Sequence, residues 1–155
     1  MDGSCPIGEP GELPAAPDDA LDAEAAAIAC VFCDVHGKHR ALDRMAALLT
    51  AEDFADPRHA VVWGVILAAH ARGEAVVTAT VGEGLVALHE AKAFKLLADL
   101  AALVVDPAHW KLYADRVAER AYQRAAAARV GEALERLKGP GQPVETVDAA
   151  REILA

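Results

Sequence analysis

Apolar residues recur at three- and four-residue steps along most of this chain, and Gly, Pro and Asp punctuate the intervals between the runs. That period belongs to amphipathic helices. A first helix is predicted from a cap at Asp18 or Asp19 to about Asp34, with Leu21, Ile28, Val31 and Phe32 among its apolar positions and Gly37 as its stop. A second is predicted from about His39 to Leu49, burying Leu42, Met45, Leu48 and Leu49. Thr50 and Asp53 have the spacing of a capping pair ahead of Phe54. Asp56-Pro57 then starts a third helix, which runs to about Arg72 with Val62, Ile66 and Leu67 inward and ends at Gly73. The stretch from Ala75 to Val81 has the highest β propensity. It is short and has no partner strand, so it reads as an extended loop into a helix capped at Thr78 or Thr80 that carries Val81, Leu85 and Leu88. A further helix spans about Ala93 to Leu103.

The interval from Asp106 to Leu137 is different in scale. Asp106 caps it, Pro107 sits where a missing N–H costs nothing, and no further proline intervenes before Pro140. A helix of ~30 residues is ~45 Å long, more than a small domain is wide. Trp110, Tyr113, Val117 and Ala121 form one stripe suited to a core. Past Arg124 the stripe thins to Ala125–Ala128, and Val130, Leu134 and Leu137 restart an apolar seam at a new phase. The far part of the rod therefore needs a partner helix, from its own chain or another. Gly139–Pro143 breaks the chain, and a final helix starting near Thr146 would return along the rod as an antiparallel hairpin. The fold class is all-α: a helical globular head over residues 18–107, then a long helix and hairpin over 108–155, with the Pro- and Gly-rich residues 1–17 read as a disordered tail.

Charge narrows the functions available. The net charge is −9, and Asp2, Glu9, Glu12, Asp18 and Asp19 supply five of those negatives ahead of any basic residue. No broad basic patch remains to neutralise phosphates, so direct nucleic-acid binding is not expected. No apolar run is long enough to span a bilayer. The first residues lack the basic and apolar regions of a secretory signal. Three cysteines, an odd number, do not suggest a disulfide framework. These features together point to a cytoplasmic protein.

One set of residues, taken in order, resembles a known family. Asp22-Ala23-Glu24 opens a small and apolar run to Asp34. Asp53-Phe54, His59 and Val62-Trp63 follow, then Gly73, Val77–Val81 and Leu85. The fullest piece is Tyr113 to Arg124, a Tyr-Ala-x-x-Val-x-Glu-x-x-x-x-Arg run. In this order the pieces resemble the N-terminal domain of DnaB-type replicative helicases. Val77 stands where that family usually has an acidic residue, and Ala55 where it has an aromatic one. The resemblance implies a helical head and a hairpin that pairs subunits into a collar, where primase or a helicase loader engages.

On that basis the residues expected to mediate self-association are Tyr122, Ala125, Ala126, Arg129, Val130, Leu134 and Leu137, with Ile153 and Leu154 on the returning helix. Arg116, Arg120 and Arg124 form an i, i+4 row, flanked by Asp115 and Glu119, that is the candidate surface for docking primase or a loader. The bland account of that row is a solvated face. No Gly-x-x-x-x-Gly-Lys-Ser/Thr phosphate loop occurs, so no motor, no enzyme activity and no cofactor are expected. The rival chemistry is Cys30, Cys33, His36 and His39, four soft-metal ligand types at three-residue intervals that would make a small zinc-binding regulator. Structural zinc sites usually draw ligands from two separated elements, which favours buried thiols and no metal. A free-standing helical adaptor is the remaining alternative.

Overall fold

The computed structural model describes residues 20–139 and 151–154, and among these residues all regular structure is helical. The first helix, α1, is Ala20–Cys33, and α2 is Ala41–Ala46. After a 3-10 turn at Ala51–Asp53 come α3 (Pro57–Ala71), α4 (Thr78–Ala87) and α5 (Ala91–Ala102). A second 3-10 turn at Pro107–His109 leads into α6 (Trp110–Lys138), and residues 151–154 are again helical. The tail over 1–17, the Asp18 or Asp19 cap, the Pro140–Pro143 part of the break and the helix start near Thr146 lie outside the described residues.

Helix α1 runs through the middle, packed against α6, α5, α3 and α2. Ile28, Met45, Leu49, Trp63, Ile66, Leu85, Leu100 and Val117 are all fully buried around it. Each such side chain stabilises the fold by about 1.5–3 kcal/mol relative to exposure. On the far side α3 and α4 approach closely. A β-carbon at Gly84 would lie 2.6 Å from a Val65 methyl, so only glycine admits this contact.

The start signals read from the sequence mostly hold. Asp56 caps α3 by accepting the Arg58 N–H at 2.8 Å, with Pro57 in the first turn. The Asp53 carboxylate accepts the Thr50 N–H at 2.7 Å. Gly73, at φ 73°, ends α3. Other expectations need correction. Helix α2 begins at Ala41, because the Asp34 carboxylate takes the His39 and Ala41 N–H groups and holds the turn open to that point. It ends at Ala46, which leaves Leu48 exposed. Neither Thr78 nor Thr80 caps α4. Val77 holds the cap position, and the Thr80 hydroxyl, three residues in, accepts the Val77 N–H at 3.1 Å while donating to the Ala75 carbonyl at 2.7 Å. Leu88 is exposed because α4 stops at Ala87 and the chain turns through a left-handed His89. Asp106 caps the 3-10 turn rather than α6 itself, its Oδ1 accepting the Ala108 N–H at 2.9 Å.

The polar centre of the head is Glu24, nearly fully buried on α1. One carboxylate oxygen accepts the Ala55 N–H at 2.5 Å, and the other accepts the Asp56 N–H at 3.2 Å. That second oxygen also meets Nδ1 of buried His59 at 2.9 Å. His59 thus finds an acidic partner 35 residues away in sequence, on a different helix, and its burial requires one. Glu24→Ala would orphan two backbone donors and one imidazole, so it should lower unfolding free energy by about 3–5 kcal/mol in urea titration. A loss below about 1 kcal/mol would mean that water replaces the carboxylate freely.

Asp56 supplies a second check. Its hydrogen bonds from the Arg58 side chain hold its carboxyl below the ordinary 3.8, down to about 2. A depressed acid stabilises the fold fully above the unfolded value and loses that contribution as pH falls through the folded one. Asp56→Asn, which can still cap α3, should therefore flatten the stability profile between pH 4 and pH 2. Parallel profiles for the two proteins would show that the Arg58 contact does not reach the titration.

Candidate interaction surface

Helix α6 is 29 residues in one piece, about 44 Å of rod. Its first half is held by the head. Ala114 and Val117 are buried there, and Trp110 lies under the Arg44 guanidinium, 5.4 Å from the ring centroid. At Arg124 the rod leaves: Nη2 donates to the Asp53 carbonyl at 2.6 Å. Among the described residues, only Ala133 is buried beyond that point.

The second half carries the seam read from the sequence. Tyr122 is 74% exposed, Val130 46%, Leu134 51% and Leu137 48%. Ala125 is exposed and Ala126 half-buried. The Arg129 side chain donates to the Ile153 carbonyl at 2.7 Å, so residues 151–154 lie alongside the rod. Ile153 is half-buried there, and Leu154 remains exposed. With 100° per residue, Val130 and Leu137 sit roughly opposite the stripe that faces the head. The sequence thus gathers most of the candidate self-association residues onto one stretch of rod that the head does not cover.

The arginine row divides three ways. Arg120 is exposed, Arg116 is half-buried, and Arg124 is engaged with Asp53. Asp115 does not join that row. It pairs with Lys111 at 2.6 Å, one turn back on the same face. A different feature escaped the sequence reading altogether. Between α4 and α5 lies an open apolar groove of about 780 Å³, lined by Ala79, Gly82, Val86, Phe94 and Leu97 among others. Its only hint is Val86 and Phe94, apolar residues off the buried stripes, which spacing alone does not distinguish from core.

The Cys and His run is taken apart by the fold. Cys30 is buried with its thiol 3.8 Å from the Pro107 carbonyl, and the Cys33 thiol donates to the Leu103 carbonyl at 3.5 Å. Both thiols thus serve the connection between α5 and α6. His36 is exposed on the following turn. Among the described residues, no three His, Cys, Asp or Glu side chains gather to hold a metal ion. Burial, then the nearby Asp34, Cys33 and Asp106, push the Cys30 thiol up to about 12. A thiol so far from ionising is a poor nucleophile.

Comparison with protein families matches the DnaB-like helicase N-terminal domain over residues 16–119, well over half of the chain. Among solved structures, the fold is similar to the N-terminal domain of DnaB helicase from Mycobacterium tuberculosis, at 23% identity and a TM-score of 0.75, covering 86% of this chain and 94% of that one. Comparison with curated proteins gives no match.

The buried thiol yields a direct test. In a Cys5→Ser background, an aromatic disulfide reagent should modify Cys33 in the native protein and reach Cys30 only on unfolding. Two equally fast thiols under native conditions would contradict the packing of α1 against the α5–α6 connection.

Proposed function

The chain belongs to the DnaB-like helicase N-terminal domain family, and from that premise we propose that it is an interaction module of DNA replication that self-associates through the rod of α6 and docks primase or a helicase loader. The observation that carries this reading is the exposed apolar seam at Val130, Leu134 and Leu137, beyond the Arg124–Asp53 hydrogen bond that ties α6 to the head. Large apolar side chains held away from a core, on a rigid element, lose water only if another surface covers them. The segment carrying Ile153 and Leu154 lies beside the rod and extends the same surface. A second copy meeting its own seam forms a closed, self-complementary contact.

In this reading the module has no motor of its own, in keeping with the missing phosphate loop. Among the described residues no helix is long and apolar enough to cross a membrane; a module of DNA replication would work in the cytoplasm. Arg116 and Arg120 would offer charge to an acidic partner, with Arg124 contributing less because the head already engages it.

Leu134→Asp should convert a dimer to a monomer by sedimentation velocity. An unpaired charge in the seam costs about 3 kcal/mol, more than a hundredfold in dissociation constant. Light scattering with added primase should show a mixed complex that Arg120→Glu weakens without changing the self-association. An unchanged mass for Leu134→Asp at all concentrations would sink the seam as an interface.

A further inference from the structure

Among the described residues, Arg124 makes the one side-chain hydrogen bond from α6 to the head, and it does so where the rod departs. The acceptor is the carbonyl of Asp53, at the end of the Ala51–Asp53 turn. That turn is held on every side. The Trp63 indole N–H donates to the Leu49 carbonyl at 3.2 Å just before it, and the Thr50–Asp53 pair closes it. The Phe54 ring packs against Trp63 at 5.3 Å between centroids. The buried Glu24 carboxylate then fixes the next two backbone N–H groups. A flexible surface loop has none of these anchors, and four of them converge on a few residues that present one carbonyl outward.

We infer that this turn is a platform and Arg124 a latch, which together fix, at the point of exit, the direction that the packed first half of α6 gives the arm. Fourteen residues, about 21 Å of helix, follow Arg124 through Lys138. A tilt of about 10° at the exit moves the far end by about 4 Å, as much as the spacing of neighbouring side chains. The carbonyl at the end of a short helix lacks an internal partner, so the charged guanidinium both satisfies it and ties the arm to the core through α1. Arg124 is a positioning residue in this account. The inference concerns direction alone and stands whether or not the seam of the arm is an interface.

The test uses the full chain, spin-labelled at Lys92 on α5 and Glu135 on α6 through unnatural residues that leave the cysteines intact. The labelled chain is diluted into unlabelled chain so that only intramolecular distances are read by pulsed dipolar spectroscopy. The native protein should give one narrow distance distribution. Arg124→Ala and Arg124→Met should each at least double its width, while Arg124→Lys, which keeps a charged donor, should restore most of the narrowing. Gln123→Ala, exposed on the adjacent face, should leave the width unchanged. Circular dichroism and melting report that the head remains folded in each. Broadening in Arg124→Ala but not in Arg124→Met would assign the effect to packing of the arginine stem and overturn the latch, as would a native width in both.

Discussion

An α-helix cannot turn without surrendering backbone hydrogen bonds, and α6 contains no proline and no paired glycines at which to surrender them. Twenty-nine residues must therefore run straight past a head that is wide enough to cover only half of them. Everything distinctive about the molecule follows from this mismatch. The near half packs against α1 and the rest of the head, and buries Ala114 and Val117. The far half carries its large apolar residues on the other side of the rod, away from the head. Residues 151–154 lie beside the rod where Arg129 reaches the Ile153 carbonyl, and Leu134 and Leu137 are about half exposed.

A second requirement governs the head. A buried carboxylate is tolerated only when its oxygens are occupied, and Glu24 meets that demand with two backbone donors and a histidine. The two backbone donors belong to the loop before α3 and the histidine to α3, while Glu24 itself comes from α1. One side chain thereby orders the segment that receives Arg124. Stability of the head and direction of the arm are linked through a few residues between Leu49 and His59. The residues Glu24, Phe54, His59 and Trp63, scattered in sequence, turn out to be neighbours in that structural node rather than a reactive site.

The thiols show the opposite outcome for a pattern that looked chemical. Cys30 and Cys33 lie one turn apart, as ligands could, but both face the carbonyls of the α5–α6 connection. Regular spacing on a helix places groups on a common face and says nothing about what lies opposite. Here the opposite surface is backbone, and the pair packs.

Local rules written in the sequence determined much of this protein. Asp56-Pro57, the Thr50–Asp53 pair and Gly73 marked boundaries correctly because caps and stops depend on neighbours within four residues. The absence of a break from Pro107 to Pro140 announced the rod, and the shift of phase past Arg124 announced that its far apolar residues turn away from the head. Where long-range contacts decided, the sequence was mute. It did not show that Asp34 delays α2 to Ala41, that Leu48 and Leu88 stay outside, that Glu24 reaches His59, or that Arg124 reaches Asp53. Nor did it reveal the groove between α4 and α5. Periodicity records which residues share a face, whereas tertiary packing decides which faces meet, and a buried charge or a latch exists only after they have met.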